Sequence, residues 1–148
     1  MAVPKVMGTE VEYGITVVND KDFDPISSCV LLVNAYRDES SAKILWDYDQ
    51  ENPLADARGF QADGEKYTPN QQENITRNKT LVNGARYYVD HAHPELSTPE
   101  CADARSVVVF DRAAEQILVE SMQAASRILR DGQEIVVYKN NSDGKGNS

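Results

Sequence analysis

Positive charge is scarce in this chain, with 15 Lys and Arg against 24 Asp and Glu and a formal net charge of −9. A surface of that sign does not suit a phosphate backbone or an anionic bilayer, so neither nucleic acid nor a membrane is expected as a partner. Long apolar runs are missing too. No segment approaches the roughly 20 residues that span a bilayer, and the opening Met1-Ala2-Val3-Pro4-Lys5 does not read as a signal peptide. A cytoplasmic location is the expectation. Only two cysteines occur, Cys29 and Cys101, with no Cys-x-x-Cys pair, and no disulfide is expected in a reducing compartment. Cys29 lies in the apolar run Ile26-Ser27-Ser28-Cys29-Val30-Leu31-Leu32-Val33 and reads as a buried helix residue. Nothing marks Cys101 as a nucleophile. Phosphate-loop spacing is also absent: Gly144-Lys145-Gly146 lacks the Gly-x-x-x-x-Gly-Lys-Ser/Thr pattern and reads as a turn.

What remains is enough for one domain, since 41% of the 148 residues are hydrophobic. A first strand is predicted over 5–18, followed by the turn Asn19-Asp20-Lys21-Asp22 and a short helix over 25–36. From 38 to 79 the sequence is polar, broken by Pro53, Gly59, Gly64 and Pro69. A loop of that length inside a domain is usually functional or disordered, and Trp46, Tyr48, Leu54 and Phe60 are apolar anchors that an inert linker does not need. Asn83-Gly84 predicts a tight turn that starts the next strand. Apolar residues Phe110, Ala114, Ile117, Met122, Ala125 and Leu129 recur at helical spacing, with Asp103 as N-cap and Asp131-Gly132 as the stop. A last strand is predicted over 134–139. The fold class is therefore α+β, an antiparallel sheet with helices packed on one face.

The chemistry concentrates in two strands. In Arg86-Tyr87-Tyr88-Val89-Asp90, Arg86, Tyr88 and Asp90 share one face while Tyr87 and Val89 face an apolar layer. Near the start, Glu10 and Glu12 share a face in the same way. Alternating Glu is commonly the solvated face of an antiparallel sheet. Adjacent carboxylates repel unless a cation sits between them, however, and an oxygen-only pair suits a hard cation such as Mg²⁺, which usually bridges to phosphate. A second carboxylate set, Asp90, Glu95 and Glu100, strengthens the cation reading, and the implied partner is a nucleotide. His91 and His93 suggest zinc, but by strand alternation their face is the wrong one if Asp90 points into the site, and no third ligand of matching type is evident. The alternative is that they fix the turn leading through Pro94 to Glu95.

The segments Gly8-Thr9-Glu10-Val11-Glu12-Tyr13-Gly14, Asn83-Gly84-Ala85-Arg86-Tyr87-Tyr88-Val89-Asp90-His91-Ala92-His93-Pro94-Glu95, Thr98-Pro99-Glu100-Cys101 and Tyr138-Lys139-Asn140-Asn141-Ser142-Asp143-Gly144-Lys145-Gly146 resemble the opening third of the Pup ligase and depupylase family. The resemblance implies a glutamine-synthetase-like, carboxylate-amine-ligase scaffold, with ATP and Mg²⁺ lying across a curved antiparallel sheet. One branch joins the carboxy-terminal glutamate of Pup to target lysines. The other hydrolyses that isopeptide bond and deamidates Pup's terminal glutamine. The insertion running from Ile44 through Trp46, Tyr48 and Leu54 to Phe60, which the ligase branch lacks, and the Asp90-to-Glu95 spacing both resemble the depupylase branch.

Carried over residue by residue, the resemblance implies Asp90 as the catalytic carboxylate, acting as nucleophile or as base. Glu10, Glu95 and Tyr88 match Mg²⁺-associated positions, Glu12 belongs to the same face, and Arg86 and Thr98 match positions that contact the nucleotide phosphates. Glu100 is a weaker candidate. ATP is then a cofactor rather than a cosubstrate. The implied partners are Pup, pupylated proteins and the carboxy-terminal part of the enzyme that completes the nucleotide pocket in family members, so the chain is expected to be the amino-terminal portion of a larger catalytic domain. The 38–79 insertion is expected to gate the site or respond to regulators.

Overall fold

Alternation of polar and apolar residues along short strands dictates a sheet with one wet and one dry side, and the computed structural model shows how that sheet is assembled. It describes residues 4–37, Leu45, Asp47, 70–90 and 92–139. His91, the Gly144-Lys145-Gly146 turn and nearly all of 38–69 lie outside the described residues.

The elements run β1 Glu10–Glu12, β2 Gly14–Val18, α1 Pro25–Ala35, α2 Gln71–Arg77, β3 Asn78–Thr80, β4 Arg86–Asp90, β5 His93–Ser97, α3 Ala104–Ala125 and β6 Glu134–Tyr138. A four-stranded antiparallel sheet has the order β1-β5-β4-β3, and β2 pairs with β6 in a separate two-stranded sheet. The architecture is α+β, as expected, but the single strand predicted over 5–18 is two strands in two sheets. Pro94 supplies a physical reason. Its carbonyl accepts the Tyr13 N–H at 3.0 Å, but proline has no N–H to return, so the β1–β5 ladder stops there. Beyond Tyr13 the chain pairs with β6 instead.

The polar stretch expected to remain loop as far as 79 ends earlier, because Gln71–Arg77 is helical and Asn78–Thr80 is a strand. Asn83-Gly84 forms the predicted turn: Gly84 has φ +83°, Leu81 N–H donates to Ala85 O at 2.8 Å, and the Asn83 side chain accepts from Ala85 N–H at 3.0 Å. The next turn is tighter. Asp90 and His93 face each other across two residues, with Ala92 at φ +66°.

Helix starts follow local chemistry. Asp24 accepts the Ser27 N–H at 2.8 Å ahead of Pro25, and Asp103 accepts the Ser106 N–H at 3.0 Å. The α3 end comes before the predicted residue 130, because Arg127 and Ile128 N–H groups bond three residues back, to Ala124 and Ala125, and tighten the chain out of the α-helix. Helices α1 and α3 cover the dry side of the large sheet, where Tyr87, Leu96, Cys29, Leu32 and Val33 are fully or almost fully buried. Full burial of a Leu or Val side chain contributes about 1.5–3 kcal/mol, so this layer fixes the sheet in place. Among the described residues no helix is long and apolar enough to cross a membrane. Both cysteines are buried and free.

Candidate active site

Register brings the polar side chains together. Glu12, Glu95, Tyr88 and Asn78 form one cross-strand row, Glu10, Ser97, Arg86 and Thr80 form the next, and Asp90 faces His93. All lie on the side of the sheet opposite Tyr87 and Leu96, because cross-strand partners share a face. Glu12 and Glu95 are direct partners of like charge, a destabilising arrangement in a bare sheet.

One carboxylate oxygen from each of Glu12, Asp90 and Glu95 lies within 4.8 Å of the others. Glu95 is only 4% exposed, and its Oε2 has no hydrogen-bond partner among the described residues. Burial, reinforced by the negative charges of Asp90, Glu10 and Glu12 and opposed by a hydrogen bond with Tyr88, pushes its pKa up from 4.5 to about 8. Three convergent oxygen donors, one of them buried and unpartnered, are the donor set of a hard cation that takes oxygen ligands. On this donor chemistry the residues fit Mg²⁺. A cation there removes the repulsion and stabilises the ionised form of Glu95.

Glu10 sits beside this cluster. Ser97 Oγ donates to Glu10 Oε1 at 2.9 Å, Tyr88 OH donates to the same oxygen at 3.4 Å, and Ser97 Oγ lies 3.2 Å from the Tyr88 hydroxyl. Burial and the surrounding carboxylates push the Tyr88 pKa far upward. Its hydroxyl therefore keeps its proton and acts as a hydrogen-bond donor across the face. Arg86 is 8% exposed, with its guanidinium 3.8 Å above the Tyr88 ring and its Nε donating to Asn78 Oδ1 at 2.8 Å. The planar fork is thus held in a fixed orientation at the row next to the carboxylates, as recognition of phosphate oxygens requires.

The remaining candidates are placed differently. The Thr98 hydroxyl accepts the Thr9 N–H at 2.9 Å, and Thr98 N–H donates to Thr9 O at 2.9 Å, so this side chain clasps the entry to β1. Glu100 is exposed and lies outside the three-carboxylate group. The Cys101 thiol bonds Pro99 O, and the Cys29 thiol bonds Ala92 O under burial that pushes its pKa up and disfavours its thiolate. Asn78 and Ser97 escaped the sequence reading, although the alternation Glu95, Leu96, Ser97 places Ser97 on the Glu95 face. His93 is a correction: alternation counted from Asp90 assigns it to the opposite face, whereas the two-residue turn resets the count and makes the two residues partners. His91 lies outside the described residues, and so does any pairing of the two imidazoles.

The Pup-ligase protein family matches residues 5–148. A depupylase of Acidothermus cellulolyticus is 43% identical over 150 residues, covering 97% of this chain and 30% of the relative. A Pup deamidase/depupylase of Mycolicibacterium smegmatis is 41% identical over 154 residues, with the same two coverages of 97% and 30%. A Pup–protein ligase of Kineococcus radiotolerans is 47% identical, but over 75 residues, 48% of this chain and 17% of the ligase. The chain thus spans about three tenths of the length of the curated depupylases it matches. A chain in the crystal structure of the complex between prokaryotic ubiquitin-like protein Pup and its ligase PafA superimposes with a TM-score of 0.59 at 21% identity, covering 97% of this chain and 23% of that one. The fold is shared with that structure.

Proposed function

The chain belongs to the Pup-ligase family, and from that premise we propose that it is the amino-terminal part of a depupylase and Pup deamidase. The enzyme would hydrolyse the isopeptide bond between the carboxy-terminal glutamate of Pup and a substrate lysine, with Mg²⁺ and ATP as cofactors. The observation that carries this choice of branch is coverage: similarity to depupylases runs along 97% of the chain, while similarity to the ligase runs along 48%. Pup and pupylated proteins are its partners. Two free cysteines are consistent with a reducing, cytoplasmic setting.

An amide carbon is a poor electrophile, so hydrolysis needs an activated oxygen and fixed positive charge near the developing oxyanion. When bound, the divalent cation would supply that positive charge and offset the negative charge of the carboxylate face and of the nucleotide phosphates. Glu12 and Glu95 would hold the cation, with Asp90 beside them at the end of β4 as the reacting carboxylate. Glu10 is kept in position by Ser97 and Tyr88. Arg86, braced by Asn78 and the Tyr88 ring, orients phosphate oxygens. Thr98 contributes by clasping Thr9 next to Glu10, and a phosphate contact from its hydroxyl would come on top of that bond.

Incubation of a Pup–lysine conjugate with this chain joined to the carboxy-terminal part of the enzyme, Mg²⁺ and ATP tests the reading, with Asp90→Asn as control. Release of Pup by the native enzyme and not by the variant is the expected result. Attachment of Pup to lysine under the same conditions would reverse the assignment of branch.

A further inference from the structure

Among the described residues, His93 is the one strongly buried polar group on the carboxylate face to which the chemistry above gives no role. It is 3% exposed, and neither ring nitrogen has a hydrogen-bond partner among the described residues. A buried imidazole in that state loses its bonds to water and gains none in return. Its Nδ1 lies 3.6 Å from Glu12 Oε2. That distance is slightly longer than a hydrogen bond. The imidazole stands outside the inner ring, because the ligand atoms found within 4.8 Å of one another are those of Glu12, Asp90 and Glu95.

We propose that His93 is a positioning residue for Glu12: its Nδ1–H donates to the Glu12 carboxylate and so fixes which oxygen is presented to a divalent cation. The inference rests on the cation-site reading given above. The Glu12 side chain is 24% exposed and its cross-strand partner is Glu95, so His93 approaches it from the buried side of the carboxylate face. Ligating carboxylates are generally held by such outer hydrogen bonds, and removing the partner typically weakens metal affinity by 10–100-fold. The hairpin explains how His93 reaches Glu12: the two-residue turn returns the chain on the face from which Asp90 projects, one strand away from β1.

The test is Mn²⁺ binding, read as loss of the free-ion electron-spin signal, for the native chain and for His93→Asn, His93→Gln and His93→Leu. The Asn side chain offers a donor near the Nδ1 position and Gln offers one near Nε2. The expected result is native-like affinity for His93→Asn and a loss of roughly 10–100-fold for His93→Gln and His93→Leu. The two amide variants have similar polarity, so their difference reports donor position rather than general destabilisation, and metal-free thermal melts confirm that each folds. Equal affinity across the series overturns the inference and leaves the cation site standing. Equal losses in the Asn and Gln variants, or a directly bonded nitrogen in the pulsed spectrum of bound Mn²⁺, also overturn it. If the native chain binds no Mn²⁺, the cation-site reading fails and the inference falls with it.

Discussion

Replacing Glu95 by Gln should change how the stability of the fold depends on pH. The Glu95 carboxyl is buried among Asp90, Glu10 and Glu12, and its pKa rises from 4.5 in the unfolded chain to about 8 in the metal-free fold. Between these values the folded state binds more protons than the unfolded state, so stability falls as pH rises. The contribution is fully present below pH 4.5 and is lost as pH passes through about 8. At 1.36 kcal/mol per pH unit, the whole interval is worth at most roughly 5 kcal/mol, of which roughly 4 falls between about pH 5 and pH 9. That is a large share of the 5–15 kcal/mol typical of a domain. Urea unfolding followed by circular dichroism, with a chelator present, measures it. The native chain should lose stability across that range relative to Glu95→Gln, whose side chain cannot ionise. Saturating Mg²⁺ at about pH 8.5 should restore about 2.7 kcal/mol at 100 times its dissociation constant in the native chain and much less in the variant. A native-minus-variant difference that stays constant with pH would refute the reasoning.

Arg86→Lys keeps the charge but removes the planar fork and the Nε bond to Asn78. Titration with a fluorescent ATP analogue should show weakening of about tenfold, close to 1.4 kcal/mol, and unchanged affinity would remove Arg86 from the nucleotide site. In Gly14→Ala the new Cβ would lie 2.1 Å from the Tyr138 ring. The ring must move, at a cost of about 1–3 kcal/mol in urea unfolding, and Tyr138→Ser in the same chain should recover most of it; no recovery would place the strain elsewhere. Leu32→Ala empties a fully buried position between α1 and the sheet and should cost about 2–5 kcal/mol. A midpoint shift worth less than 1 kcal/mol would contradict the packing described.

What could be read from the sequence was whatever chemistry between near neighbours decides. Asp24 with Pro25, Asp103 with Ser106, and Asn83-Gly84 set two helix starts and one turn by local hydrogen bonds and backbone preference. Alternation along Arg86–Asp90 sorted that strand into its two faces. Alternation fails at a turn, which is why His93 was assigned to the wrong side. The break at Tyr13 depends on Pro94, far away in sequence, and α2 gains its stability from packing beside α1, a contact that its polar residues do not announce. Thr98 could be picked out as a candidate but not its bond to Thr9, because a register between distant strands is invisible until both are paired.

The junction at Tyr13 couples two parts of the molecule that share no sheet. Glu12 is the last residue of one ladder and Gly14 the first of the other, so a displacement of β2 reaches the carboxylate group along the backbone as well as through the shared core. The Tyr13 amide, bonded to Pro94 O, lies at the junction of the two sheets. Its hydrogen-exchange rate therefore reports whether a partner seated on the small sheet is felt at Glu12.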